Sequence, residues 1–142
     1  MMNYYYIEPE VAGGWGKNTV FQRSPGSPTV VHKLHYEFNG WLGDELLEST
    51  PCFIVSQRMA HEIEEAELTG ASFDEVEVTT SDQFRELYPD RKLPEFLWLK
   101  IVGKAGVDDF GISADGRLVV SEMALRMVQS NCKNCDVSDY RG

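Results

Sequence analysis

The residues of this chain that could do chemistry are few and scattered. His32, His35 and His61 are its three histidines, the side chains that titrate near neutral pH and ligate metals. A strand would turn His32 and His35, three residues apart, to opposite faces, so they could not share an ion there, and no H-E-x-x-H occurs. His61 falls on the polar side of an expected helix. Cys132-Lys133-Asn134-Cys135 is the one C-x-x-C, and structural zinc would need two more ligands from elsewhere. A redox thiol is favoured at a helix N-terminus, whereas both cysteines fall at or beyond a helix C-terminus, where the dipole disfavours thiolate. The expectation is therefore Cys132 packed at a helix end and Cys135 in the next turn or strand, with neither zinc nor a disulfide needed for folding. Ser56 and Ser121 lie outside any G-x-S-x-G elbow and read as helix caps. Asp108-Asp109 could bind Mg²⁺ or divide acid and base roles if the chain bends, and Gly103, Gly106 and Gly111 make a bend available. A metal-dependent enzyme using Asp108 and Asp109, helped by Glu95 or Asp115, is one reading; structural or partner contacts rank ahead of it.

Such groups act only where the backbone brings them together, and hydrophobic spacing sets the elements that do so. Tyr4-Tyr5-Tyr6-Ile7-Glu8 is aromatic and β-favouring, with Pro9 as its stop, which predicts an opening strand. Gly13, Gly14, Gly16, Pro25, Gly26 and Pro28 predict a surface loop from Gly13 to Pro28. Leu34, Tyr36 and Phe38 alternate inside Val30 to Phe38, a half-buried strand, and Asn39-Gly40 turns the chain. Leu42, Leu46 and Leu47 are spaced for a short helix before Pro51. Asp82 to Tyr88 suits another short helix, Pro89 and Pro94 frame a loop, and Asp115-Gly116 marks a turn. Phe96 to Val102 is almost continuously apolar, which predicts a central strand covered on both faces.

An internal repeat organises the rest. Phe53-Ile54-Val55-Ser56 recurs 65 residues later as Leu118-Val119-Val120-Ser121, each followed by a helical stretch. The first helix is expected to bury Met59, Ala60, Ile63 and Ala66, and the second Ala124, Leu125, Val128 and Cys132. Leu68-Thr69-Gly70 and Cys132 to Cys135 end them, and Phe73 to Val78 and Asp136 to Tyr140 supply the following strands. The expected fold class is α+β: a single domain over residues 1–142, with a mixed or antiparallel sheet and two similar strand-helix-strand units sharing one core.

Thirteen Lys and Arg against 23 Asp and Glu leave a formal charge of −10, which opposes nonspecific binding to nucleic acid or anionic lipid and attracts a basic partner. No apolar run is long enough for a membrane span, and the first residues lack the charge and apolar core of a signal peptide, so a cytoplasmic address is expected. From Met59 to Phe84 there is no Lys or Arg, while Glu62, Glu64, Glu65, Glu67, Asp74, Glu75, Glu77 and Asp82 contribute eight negative charges. Two readings stand: a solvated face that maintains solubility, or a surface for a cationic partner. Trp15 and Trp41 are candidate apolar anchors for such a partner, or else members of the core. The candidate partner-binding set is thus Glu62, Glu64, Glu65, Asp74, Glu75, Trp15 and Trp41; no catalytic, cofactor-binding or metal-binding residue is assigned, and no cofactor is expected.

Several short segments together resemble a known family. They are Tyr4-Tyr5-Tyr6-Ile7, Gly43-Asp44-Glu45-Leu46-Leu47 followed by Phe53-Ile54-Val55-Ser56, and Leu68-Thr69-Gly70 with Phe73. Gly106-Val107-Asp108-Asp109-Phe110, Leu118-Val119-Val120-Ser121-Glu122 and Asn134-Cys135-Asp136-Val137 complete the set, which spans most of the chain. In these the chain resembles the immunity proteins of bacterial polymorphic toxin systems, specifically the former domain-of-unknown-function family typified by a myxobacterial immunity protein. The resemblance implies an intracellular protein that binds and neutralises a cognate toxin domain, without catalytic residues or a cofactor. A general protein-interaction or regulatory domain is the alternative from a different class.

Overall fold

The computed structural model describes residues 3–142. In chain order its elements are β1 (Tyr4–Glu8), β2 (Gly13–Trp15), β3 (Val20–Gln22), β4 (Val30–Lys33), β5 (His35–Phe38), β6 (Leu46–Ser49), β7 (Cys52–Ser56), α1 (Gln57–Glu65), β8 (Ala71–Asp74), β9 (Glu77–Thr80), α2 (Asp82–Leu87), β10 (Phe96–Ile101), β11 (Phe110–Ile112), β12 (Leu118–Ser121), α3 (Glu122–Asn131) and β13 (Asp136–Tyr140). The fold is mixed α+β and mostly sheet. Two four-stranded sheets run in the orders β6-β7-β10-β8 and β11-β12-β1-β13, beside a three-stranded sheet β2-β5-β9 and a two-stranded ribbon β3-β4.

In the first large sheet β10 lies antiparallel to both β7 and β8. In the second, β1 lies antiparallel to both β12 and β13. The helices after Ser56 and Ser121, α1 and α3, therefore each link two strands of one sheet that flank a third from elsewhere in the chain. Alternation along β7 explains how one sheet serves two cores: Phe53 and Val55 face one side, Cys52 and Ile54 the other. The first core gathers Phe53, Val55 and Leu99 with Ile7, Phe110, Leu118 and Val120 of the second sheet, under Met59 and Ile63 of α1 and Ala124 and Val128 of α3. On the opposite face a second, aromatic core joins Ile54, Phe96 and Trp98 to Leu34, Tyr36, Phe38 and Phe84. β10 is apolar at every position but Lys100 because it sits between the two.

Four expected elements differ. The segment expected as a loop from Gly13 to Pro28 holds β2 and β3, because its glycines serve close approach: a Cβ on Gly13 would meet the Glu37 carbonyl oxygen at 1.8 Å, and one on Gly16 the His35 ring at 2.1 Å. Leu46 and Leu47 form a strand and not a helix, since consecutive strand residues feed opposite cores, and Leu42 is left 69 % exposed. Phe73 to Val78 divides into β8 and β9, which belong to different sheets, and Val30 to Phe38 breaks at Leu34 into β4 and β5. Ala66 is exposed and serves as the C-cap of α1, so the first helix buries Met59, Ala60 and Ile63 without it.

Candidate functional site

Two capping serines and two carboxylates hold the helices to the loops. Ser56 Oγ accepts from the Met59 amide at 3.1 Å and donates to Glu45 Oε1 at 2.6 Å. Ser121 Oγ accepts from the Ala124 amide at 3.2 Å and donates to Asp109 Oδ1 at 2.6 Å. Both residues lie just before the first strand of their hairpins, and each also holds the chain near the other helix's end, Glu45 through its backbone and Asp109 through its side chain. Glu45 donates its amide to Asn131 O at the end of α3, while Asp109 Oδ2 accepts from the Thr69 amide at 2.8 Å beyond α1. Arg58 bridges Glu45, Glu62 and Asn131 across the same junction.

Asp44 and Glu10 form a buried acidic knot beside it. Asp44, 2 % exposed, accepts from the amides of Lys133 and Asn134 at 2.9 and 2.8 Å and from the Asn134 side chain. Glu10 accepts from the Leu42 and Asp44 amides, and burial raises its carboxyl above the usual range despite those bonds. The turn between Cys132 and Cys135 is thus ordered by a carboxylate. Burial pushes the Cys132 thiol up to about 12, and raises Cys135 as well, so both favour the neutral thiol at neutral pH. Cys132 is packed at the end of α3, as its helical spacing predicts, and Cys135 lies in the turn before β13. Cys52, in the second core, rises to about 11 for the same reason.

Asp108 and Asp109 point their bonds into the scaffold. Asp108 Oδ2 accepts from the Lys104 amide at 2.7 Å, and both Asp109 oxygens are engaged with Ser121 and Thr69. Their supposed helper Asp115 is held below the ordinary carboxylate range by Ser113 and then Arg117, and Glu95 is exposed elsewhere, before β10. Among the described residues no three His, Cys, Asp or Glu side chains converge as a metal site. His32 is exposed on β4 and His35 is buried on β5, where its Nδ1 accepts from the Asn18 amide and Nε2 meets Thr79 Oγ1 at 2.7 Å.

The partner-binding candidates separate into three places. Glu62, Glu64 and Glu65 lie on α1, which covers the first-core face of its sheet. Asp74 shares a face with Trp98, the opposite side of that sheet, where Lys100 pairs with it at 3.0 Å and lowers its carboxyl pKa; Glu75 follows it beside Lys33 and His32. Trp15 is half-buried on β2 with its ring 4.8 Å from Phe21. Trp41 is half-buried over Phe38 and Phe96, donates to Asp44 O at 2.8 Å and carries Arg91 on its other side at 4.5 Å. Both tryptophans pack against the second core.

The end of α1 holds charge that folding does not ask for. Ala66, Glu67 and Leu68 close the helix as a Schellman turn, with Leu68 N bonded to Ile63 O and Glu67 N to Glu64 O. Glu67 occupies the left-handed position of that turn at φ 54°, where glycine is the ordinary residue. The last turn has no basic residue, so Glu64, Glu65 and Glu67 crowd the negative end of the helix dipole. Glu62 is paired with Arg58 and Glu65 faces His61 at 3.2 Å, whereas Glu64 and Glu67 make no ion pair among the described residues. Glu67 was part of the acidic run in the sequence; its left-handed backbone had no local signal. Comparison of the chain with protein-family models and with curated protein sequences finds no match. Among the described residues no helix is long and apolar enough to cross a membrane.

Proposed function

We propose that this chain is a cytoplasmic immunity protein, which binds a cognate bacterial toxin domain with a basic surface and neutralises it by occupation, without catalysis. One observation carries the reading: carboxylates gather at the C-terminal end of α1 against both the helix dipole and, at Glu67, the backbone preference. Stability alone would favour Lys or Arg in that turn and glycine after it, and sites that spend stability in this way are commonly contact surfaces. The net charge of −10 supports the same partner, since it draws a basic domain from a distance. Glu62, Glu64 and Glu65, with Glu67, are the helix residues we assign to that encounter.

The architecture we attach to this reading is a single domain of two similar strand-helix-strand units, β7-α1-β8 and β12-α3-β13, the first ending at Asp74 and not at Val78. It is supported by the matched roles of Ser56 and Ser121 and by the order of strands around β10 and β1. The deciding experiment is co-expression and pull-down with the toxin domain encoded beside the gene. Rescue of growth together with a stoichiometric complex is the expected result. Growth arrest undiminished by the chain, with no complex formed, would sink the proposal.

A further inference from the structure

The outer face of the β11-β12-β1-β13 sheet carries aromatic rings that neither core claims. Alternation along β1 sends Tyr5 and Ile7 to the first core and turns Tyr4, Tyr6 and Glu8 the other way. On β13, Tyr140 stands opposite Tyr4 and Asp136 opposite Glu8, so these five side chains share one face. Tyr6 and Tyr140 meet edge to face with ring centroids 5.2 Å apart. The turn around Gly106 closes over one end of the face, against Tyr140 and Gly111, and leaves the three tyrosines half-buried and Glu8, Asp136 and Ser138 exposed. That turn also joins the face to the end of α1: Val107 O accepts from the Tyr4 hydroxyl at 3.1 Å, and Asp109 Oδ2 from the Thr69 amide just beyond the helix.

Two features of this face say what it takes. Arg117, just before β12, lays its guanidinium 3.6 Å from the Tyr6 ring centroid while Asp115 holds it at 2.8 Å. The surface thus already binds one arginine between a tyrosine ring and a carboxylate. Glu8 and Asp136, in turn, lie directly opposite each other on neighbouring strands, where like charges are destabilising, and neither makes an ion pair among the described residues. Cations from outside the chain would relieve that repulsion. The β3-β4 side of the molecule does the reverse: from Val11 to Tyr36 there is no Asp or Glu, while Lys17, Arg23 and Lys33 are present, so it turns a basic domain away. Tyrosine rings beside unneutralised carboxylates have the composition of a hot spot for a partner rich in Arg and Lys.

We infer that the outer face of β1 and β13 is the anchoring surface for the basic toxin domain, with Tyr6 and Tyr140 packing against its Arg or Lys side chains and Glu8 and Asp136 pairing with them. This rests on the immunity reading and divides the work of binding: the end of α1 steers the domain inward, and the adjoining tyrosine face holds it. A second copy of this chain would set the same carboxylates against each other there, and nucleic acid would bring phosphates to them. Surface-binding kinetics with the neighbouring toxin domain test this in the full chain. Tyr140→Ser is expected to speed dissociation by about ten-fold or more. Asp136→Lys places a cation opposite Glu8, so its melting temperature should match or exceed that of the wild type. Its affinity should nonetheless fall by about ten-fold or more, because a cation inside the closed interface meets the partner's own. Damage to the fold cannot produce that split, so Asp136→Lys decides the matter even where Tyr140→Ser lowers the melting temperature. Wild-type binding with an unchanged affinity for Asp136→Lys would overturn the face assignment alone. So would a wild-type dimer in sedimentation, or retention of a short fluorescent DNA strand, that Tyr140→Ser abolishes. A wild-type chain that neither binds nor protects overturns the immunity reading and this assignment with it.

Discussion

Ser56 and Ser121 each perform two tasks through one oxygen. The hydroxyl accepts from an otherwise unpaired amide of the first helical turn and donates its proton to the carboxylate of Glu45 or Asp109, the residue that opens the preceding hairpin. Replacing either by alanine removes the cap, worth about 1 kcal/mol, and leaves Glu45 or Asp109 without a charge-assisted bond of about 1.5–3 kcal/mol. Urea unfolding should show a loss of about 2–4 kcal/mol for each variant, and equal midpoints for wild type and both variants would remove this account. Glu67 runs in the other direction. Glu67→Gly relieves a left-handed residue and a charge at the dipole's negative end, so it should raise stability by about 1 kcal/mol in the same assay. The thiols give a third test at this scale. Cys52 and Cys132 are buried with pKa values raised to about 11 and 12, and Cys135 is half-buried. At pH 8 Cys135 should be alkylated first and the other two only after unfolding, as mass spectrometry of the modified peptides would report.

At the scale of elements, glycine positions distinguish packed strand from exposed turn. β2 presses on β5 so closely that a Cβ on Gly13 has no room, while one on Gly14 meets nothing within 4 Å. Gly13→Ala should therefore cost several times more stability than Gly14→Ala, with the first losing on the order of 2–3 kcal/mol as strand and core move apart. Equal melting temperatures for the two would contradict the pairing. α1 is the converse case, an element whose sequence opposes its own dipole. Glu64→Lys with Glu65→Lys places cations at the helix C-terminus, which should raise the melting temperature by an amount equivalent to about 0.3–1 kcal/mol per charge.

For the whole molecule, charge is unevenly shared between an acidic body and a basic ribbon. A complex formed through steering should associate faster at low salt, toward about 10⁸ M⁻¹s⁻¹. The same Glu64→Lys and Glu65→Lys variant should slow association with the toxin domain and flatten its salt dependence, leaving dissociation nearly constant because exposed pairs add little to the bound state. Stopped-flow mixing over a salt series separates these terms. An unchanged association rate would move the encounter surface off α1.

Local chemistry made part of this molecule legible from its residues alone. Tyr4 to Glu8, Phe96 to Ile101 and the helices after Ser56 and Ser121 could be read because aromatic strands, buried strands and capped amphipathic helices carry their signal within a few residues. The acidic run and the net charge were equally plain, since charge is a property of composition. What Gly13, Leu46 and Asp74 do was decided elsewhere in the chain. Gly13 is a strand residue because the Glu37 backbone lies against it, Leu46 and Leu47 extend because two cores claim them, and Asp74 parts from the α1 carboxylates because β8 turns it to the other face of the sheet. Asp44, Glu45 and Asp109 show the same division: their residue types are written locally, but their bonds to the chain at the ends of α3 and α1 exist only once residues far apart in sequence have met. Spacing along a chain reports faces of single elements; which faces touch is set by burial and hydrogen bonding summed over the whole fold.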